Sequence, residues 1–369
     1  MLETKPILNE AFHDEDEYRP EPQPEPEPPA WKDGSIRVGI HTSIAGDIAG
    51  ALDLARGLGC NALQIFSASP RSWPRRAELG GATGAAFRTR RKAMGLGPLV
   101  IHGNYLINLA SPDRVLRVRS VQAFHDEIIR ALALGADFLV AHPGAAKGAN
   151  REEALGRVAD GIRQASRGLQ LGALQILLEN TAGQGSWLGC VFSELRKIIN
   201  ACPGFPLGVC VDTAHTLAAG YEIRTTEGLE RTLDAIENTV GLDAVKVIHV
   251  NDSKAPLGSR VDRHEHIGKG QIGVEAFRRI LNHPRLAGKA FILETPIDRP
   301  GDDRRNVQAL WKLLGGHPAV EADGETGARR QNGFTARRRR KKPARANARR
   351  VLARRRSQKP SKISHRKRR

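Results

Sequence analysis

The sequence has few cysteines and no long apolar run, and each absence excludes a class of protein. Four cysteines in 369 residues show no CxxC spacing and are too sparse for a disulfide framework. No apolar run approaches the ~18 to 20 residues of a transmembrane helix, and the N-terminus lacks the basic start and apolar stretch of a signal peptide. We therefore expect a soluble, cytoplasmic protein with no membrane partner, nucleoid-associated if the host is a bacterium and nuclear if it is a eukaryote.

The last 44 residues, Thr326 to Arg369, contain no acidic residue and 20 Lys and Arg. The remaining chain carries 38 basic and 40 acidic residues, so the net charge of +18 belongs to a tail. The first 30 residues contain nine acids and seven prolines, a composition typical of an extended, disordered segment. These shifts predict an acidic disordered tail at 1–33, a folded domain at 34–318 and a basic disordered tail at 319–369.

Short apolar runs recur through the middle of the sequence and alternate with stretches of helical periodicity. The runs are RVGIHTSI, ALQIF, PLVIHG, DFLVAHPG, QILLENT, LGVCVDTAH, VKVIHVND and KAFILET. Eight such alternations over about 275 residues match the size and order of a (β/α)8 TIM barrel in the α/β class. A doubly wound open sheet is the alternative, although it would stop at five to seven strands and usually carry a Gly-rich turn after the first.

Polar residues follow nearly every one of these predicted strands. They are His41, His102, His142, Glu179 with Asn180, Asp212 with His215, His249 with Asn251 and Asp252, and Glu294. In a barrel the strand ends open onto one face, which holds the active site. Buried carboxylates and imidazoles are costly unless they are paired or bind a metal. The mixed ligand set favours zinc, manganese or iron, and nine well-placed groups would serve two or three ions, a device for phosphodiester hydrolysis.

The segment SRVDRHEHIG, residues 259–268, concentrates six ionisable side chains in one loop. A charge-rich run beside glycines is typical of a solvated turn. If the segment is extended, Asp262, His264 and His266 project to the same side because side chains alternate with a period of two. A carboxylate beside imidazoles is half of a zinc site, so the loop alone leaves both interpretations open.

Several motifs together resemble the endonuclease IV family of zinc-dependent apurinic/apyrimidinic (AP) endonucleases, which have the xylose-isomerase-like barrel. They are IHGNYLINLASP, AHPG, LLENTAGQGSWLG, VCVDTAHTLAAGYEIRT, IHVNDSKAPLGSRVDRHEHIGKGQIG and ILETP, in the family's order. The resemblance covers the chain from about Arg37 to Leu314 and neither tail. FSASPRSW departs from the family, whose members often have a more polar segment there, which leaves details of the DNA contact open.

The resemblance implies a barrel with three zinc ions, with Mn²⁺ as an option at one position. The implied ligands are His102, His142 and Glu179 for the first ion, Glu179, Asp212, His249 and Glu294 for the second, and His215, Asp262 and His264 for the third. Glu179 is implied to bridge two ions, and Glu179 and Glu294 are the implied catalytic residues. The loop of SRVDRHEHIG would thus supply two ligands, with His266 as a neighbour.

The implied activity is hydrolysis of the phosphodiester 5′ to an abasic site, leaving a 3′-hydroxyl and a 5′-deoxyribose phosphate, together with removal of blocked 3′ ends. The partner would be damaged double-stranded DNA, acted on by a monomer. The resemblance further implies DNA contacts by Arg71, Tyr105 and Leu106 at the abasic site. Arg260 and Arg263 are candidates for phosphate contacts.

The basic tail, which includes Arg337, Arg338, Arg339 and Arg340, resembles tails that bind DNA without sequence preference. A solubilising or nuclear-localisation segment is the other interpretation. For the folded domain, the alternative function is a metal-dependent sugar isomerase or epimerase on the same kind of barrel. That alternative needs one or two ions and leaves His215, Asp262 and His264 without a role.

Overall fold

A computed structural model of the protein describes residues 35–45, 47–73 and 81–316. The eight predicted strands are all present, as Arg37–Thr42 (β1), Ala62–Phe66 (β2), Leu99–His102 (β3), Phe138–Ala141 (β4), Gln175–Glu179 (β5), Leu207–Asp212 (β6), Val245–His249 (β7) and Ala290–Leu293 (β10). A two-residue pair, Asp252–Ser253 (β8) and His264–Glu265 (β9), forms a separate antiparallel sheet. The predicted tails lie outside the described residues.

The strands close into a barrel in the order β1-β10-β7-β6-β5-β4-β3-β2, and every neighbouring pair is parallel. The pairing of the first strand with the last, Arg37 with Ala290 and Ile40 with Leu293, completes the ring. This closure confirms the predicted TIM barrel, and the open-sheet alternative is wrong.

Helices connect most consecutive strands and cover the outside of the barrel. They are Gly50–Gly57 (α1), Gly81–Ala93 (α2), Arg114–Leu134 (α3), Arg151–Ala165 (α4), Phe192–Asn200 (α5), Thr213–Ala219 (α6), Thr226–Glu237 (α7), Val274–Leu281 (α8) and Asp302–Leu313 (α9). Short 3-10 turns lie at Leu242–Ala244 and Pro284–Leu286. In the part of the chain that the structure describes, none of these helices has the length and apolarity that a membrane crossing requires.

Two apolar layers follow from the alternation of side chains along each strand. A large cluster fills the space between strands and helices, and a small one fills the barrel itself, formed by Ala62, Val100, Phe138, Val140, Leu177, Cys210, Val247, Ala290 and Ile292. Because the period is two, the residue two positions after an inward residue also points inward, one layer nearer the strand's end. Val100, Leu177 and Val247 therefore place His102, Glu179 and His249 inside the mouth.

Gly39 lets the interior close at β1. A Cβ at this position would lie 2.6 Å from Ile292 Cδ1 and 2.7 Å from the backbone carbon of Ala62. Both neighbours belong to the inner cluster of the barrel. The small residue thus allows β1 and β10 to approach each other. The interior of the barrel is therefore narrow beneath the side chains at the strand ends.

Candidate metal centre

The first group of side chains at the mouth combines His102, His142 and Glu179 from three adjacent strands. One ligand atom from each lies within 4.8 Å of the others. Glu179 Oε2 is 3.3 Å from His102 Nε2 and 2.9 Å from His142 Nε2. Two imidazoles and a carboxylate oxygen are a ligand set suited to a divalent transition metal.

The second group shares Glu179 with the first and adds Asp212, His249 and Glu294. His249 Nδ1 is 3.1 Å from Glu179 Oε1 and 3.3 Å from Glu294 Oε2. Asp212 Oδ2 lies 4.0 Å from the same nitrogen. Since Glu179 presents Oε2 to the first group and Oε1 to the second, it is placed to bridge them.

The third group consists of Asp212, His215 and His264. The sequence predicted Asp262 in place of Asp212. Asp262 does approach both rings, with Oδ2 3.3 Å from His215 Nε2 and Oδ1 3.5 Å from His264 Nε2. Asp212 joins because its Oδ2 is 3.6 Å from His264 Nε2. The three groups therefore form one chain, linked by Glu179 and then by Asp212.

Helix capping explains how Asp212 and His215 come together. Asp212 ends β6 and is the N-cap of α6, where its Oδ1 accepts a 2.7 Å hydrogen bond from the backbone N–H of His215. Asn251 donates to the other oxygen, Oδ2, at 2.6 Å. Each carboxylate oxygen is thereby oriented, and Oδ2 faces the centre.

The electrostatics of the centre favour charged Glu179 and Asp262 and a protonated His215 when no ion is bound. Burial opposes ionisation of Glu179, but the charges of His142 and His249 outweigh it and hold the pKa of Glu179 well below its usual value. Burial likewise opposes protonation of His215, but the charge of Asp212 and a hydrogen bond to Asp262 raise its pKa well above its usual value. The pKa of Asp262 is lowered to about 2, since interactions with His215 exceed the effect of burial.

Each of four imidazoles has one ring nitrogen held by a fixed oxygen. The pairs are His102 with the Gly103 carbonyl, His215 with the Asn180 carbonyl, His264 with the Glu294 carbonyl and His249 with the Gln64 side chain, at 2.8 to 3.3 Å. Such partners orient histidine ligands and set their tautomer in metal sites. The second nitrogen of each ring is left facing the carboxylates.

One buried atom shows that the residues fit a cation. His264 Nε2 is buried and has no hydrogen-bond partner among the described residues. A buried nitrogen without a hydrogen-bond partner lowers folding stability by about 1–3 kcal/mol. This nitrogen faces the carboxylates of Asp212 and Asp262. A divalent ion between them would satisfy the nitrogen and both carboxylates. We conclude that these clusters could hold metal ions.

A cavity of about 220 Å³ adjoins the first and third groups. Tyr105, Trp187, Gln184 and Asp262 contribute to its walls. The Trp187 ring is 5.6 Å from the His142 ring, and Gln184 Oε1 accepts from the Asp262 backbone N–H at 3.2 Å. The cavity has a partly aromatic wall and lies directly beside the candidate metal ligands.

Five of the residues predicted to contact DNA lie in the described part of the chain. Arg71, Arg260 and Arg263 are exposed, and Arg260 has a positive φ of 55°. Tyr105 is 48% exposed, with its ring 5.5 Å from that of His102, and Leu106 is half-buried. Their DNA roles stay predictions. Arg337, Arg338, Arg339 and Arg340 lie outside the described residues.

Two polar residues near the predicted ligands have structural roles instead. Asp252 accepts from the backbone N–H groups of Gly270 and Ile272, both at 2.9 Å, and so holds the loop after β9. His266 faces away from the three groups, with Nδ1 3.0 Å from Asn306. The sequence prediction that His266 is a neighbour and not a ligand agrees with this position.

The sequence placed His41 among the polar strand-end residues without a ligand role, and it did not identify Gln64. Gln64 contacts His41, His249 and Glu294. His41 Nδ1 is 3.4 Å from Glu294 Oε1, and burial lowers the pKa of this histidine. The signal for Gln64 in the sequence was an amide side chain within the apolar strand ALQIF. Its inward direction follows from Ala62, which points inward two positions earlier.

Comparisons with known proteins point to one family. Residues 52–314 match the family described as Xylose isomerase-like TIM barrel. A protein of Solibacter usitatus named "Probable endonuclease 4" is 51% identical over 284 residues, covering 76% of this chain and 97% of that protein. The crystal structure of endonuclease IV from Thermus thermophilus is similar at 42% identity and a TM-score of 0.68, covering 76% of this chain and 99% of that one.

A second kind of similarity concerns the fold alone. The crystal structure of a D-tagatose 3-epimerase-like protein matches with a TM-score of 0.59 and 17% identity, covering 76% of this chain and 97% of that chain. At this identity the match extends to the barrel and carries no argument about the reaction.

Proposed function

Because the chain belongs to the endonuclease IV family of xylose isomerase-like TIM barrels, we propose that it cleaves damaged DNA. It hydrolyses the phosphodiester 5′ to an abasic site, leaving a 3′-hydroxyl and a 5′-deoxyribose phosphate, and it also clears blocked 3′ ends. The observation that carries the proposal is the chain of three ligand groups linked by Glu179 and Asp212.

We propose zinc as the resident metal, three ions per chain, held by the three groups with Asp262 completing the third. Clustered divalent ions supply a nucleophile at neutral pH and neutralise the charge of the phosphate. The protein's own contribution is orientation. Glu179 and Asp212 fix the spacing between groups, and the partners on the outer ring nitrogens fix the imidazoles.

We propose that the cavity beside the ligands receives the abasic deoxyribose. Trp187 and Tyr105 enclose it with aromatic surface, which excludes water around the sugar. Tyr105 and Leu106 enter the base stack from the rim, where the missing base lowers the cost of unstacking. Arg71, Arg260 and Arg263 are exposed, and in this proposal they contact the phosphates on either side of the lesion.

The decisive experiment uses a labelled duplex that contains one abasic analogue. Zinc-loaded protein is expected to give a single nick 5′ to the analogue, and a duplex ending in a 3′-phosphoglycolate is expected to yield a 3′-hydroxyl. A chelator abolishes both products and added zinc restores them. An intact duplex under all metal conditions contradicts the proposal.

A sugar isomerase or epimerase is the competing function, since the barrel is shared. It would use one or two ions and would leave the third group without a task. Incubation of the same zinc-loaded preparation with ketoses and aldoses distinguishes the two. Sugar conversion together with intact abasic DNA favours the isomerase.

Metal affinity should depend on pH over an unusually high range. An ion binds neutral imidazole, whereas neighbouring anionic groups overcome the effect of burial and keep the pKa of His215 and His249 well above about 6.5 in the metal-free protein. Ion binding therefore displaces protons even above that pH, and affinity continues to rise with pH there. Chelator competition at several pH values measures this rise. A constant affinity above about pH 6.5 contradicts it.

We propose that the basic tail holds the enzyme on undamaged duplex DNA during the search for lesions. Deleting residues 326–369 removes 20 cations, so affinity for undamaged duplex should fall and its salt dependence should become less steep. Binding measured at several salt concentrations tests this. An unchanged affinity and salt slope in the truncated protein contradicts a role in DNA binding.

A further inference from the structure

Gln64 is a polar side chain in an otherwise apolar strand, and it points into the barrel. It is fully buried, at 0% exposure, two positions after the inward residue Ala62 on β2. A buried amide left without partners costs about 1–3 kcal/mol. Its surroundings must therefore supply both acceptors for the amide nitrogen and a donor for the oxygen.

The partners of Gln64 fix the direction of its amide. Gln64 Nε2 donates to Glu294 Oε1 and contacts His41 Nδ1 at 2.9 Å, while Gln64 Oε1 is 2.8 Å from His249 Nε2. A carboxylate only accepts hydrogen bonds, so the amide atom against Glu294 must be the nitrogen. The oxygen therefore faces His249, and Nε2 of that ring must carry the hydrogen.

This arrangement determines which atoms are left for an ion. With Nε2 of His249 donating to Gln64, Nδ1 is the available nitrogen, 3.1 Å from Glu179 Oε1. With Oε1 of Glu294 held by Gln64, Oε2 is the available oxygen, 3.3 Å from His249 Nδ1. One amide thus orients two of the four side chains of the second group.

We propose that Gln64 is a positioning residue that sets the ion affinity of the second group alone. It fixes the tautomer of His249 and the orientation of Glu294. Among the described residues its hydrogen bonds reach neither His102 nor His215, so the first and third groups bind their ions without it. The inference rests on the proposed function only for the identity of the ion.

The test compares Gln64→Met, which keeps the volume and removes the hydrogen bonds, with Gln64→Asn, which withdraws the amide by one methylene. Gln175→Met on β5 is the matched control, since Gln175 lies at the start of its strand, away from the mouth. Ions per chain and their affinities are measured by titration with a competing chelator. The tautomer of His249 is read from ¹⁵N–¹H spectra of the imidazoles.

Both Gln64 variants are expected to bind one ion about 10–100-fold more weakly, with the other ions unchanged and a mixture of His249 tautomers. Gln175→Met should match the unsubstituted protein. Unchanged affinity with a single tautomer overturns the proposal, and so does equal weakening of every ion. If the unsubstituted protein fails to nick abasic DNA while Gln64→Met still loses one ion selectively, the proposed function fails and the role of Gln64 stands.

Discussion

Glu179→Gln should reduce nicking of an abasic duplex by about 1,000-fold or more, a loss of about 4 kcal/mol in transition-state stabilisation. The substitution keeps the size of the side chain and removes its charge. Glu179 is fully buried and offers one oxygen to each of two ligand groups. The loss of that charge weakens the binding of two ions at once, and the spacing between them is no longer set.

The measurements are nicking rate, metal content and thermal unfolding, made on the variant and on Glu153→Gln. Glu153 is an exposed residue of α4 whose carboxylate pairs with Arg157 at 3.5 Å, so its substitution should leave all three quantities unchanged. A Glu179→Gln protein that keeps its full metal content and its nicking rate would refute the bridging role. Activity loss in both variants would point to a defect in the preparation.

The inward direction of the predicted ligands could be derived from the sequence, because strand alternation decides it. Val100 and His102, Leu177 and Glu179, and Val247 and His249 are pairs two residues apart, and the structure places each pair inside the barrel. Short runs of Val, Ile and Leu also predicted the eight strands of the barrel, but not the two-residue strands β8 and β9. Closure itself depends on contacts between the two ends of the domain, which no local pattern contains.

The partners of the ligands could not be derived in this way. Asp212 joins two groups because capping of α6 and a bond from Asn251 orient its oxygens. The carbonyl that holds His215, a residue of α6, belongs to Asn180, which directly follows β5. Gln64 gave a weak signal, since one amide in a five-residue strand is compatible with either face until the register is known. Such details require the three-dimensional arrangement.

His264→Ala should remove one ion per chain and lower the nicking rate by about 100- to 1,000-fold, while the other ions stay bound. His264 lies on the two-residue strand β9, outside the barrel wall, and its Nε2 faces Asp212 and Asp262. Its loss therefore empties the third group without disturbing the strands that carry the first two.

His266→Ala is the matched control, because this histidine stands two positions later in the same loop and contacts Asn306 instead of the ligand groups. Metal content and nicking rate should stay at their unsubstituted values in this variant. An isomerase would be insensitive to His264→Ala, since that reaction has no use for a third group. Full nicking activity in a His264→Ala protein that has lost one ion would show that the third group serves a purpose other than phosphodiester cleavage.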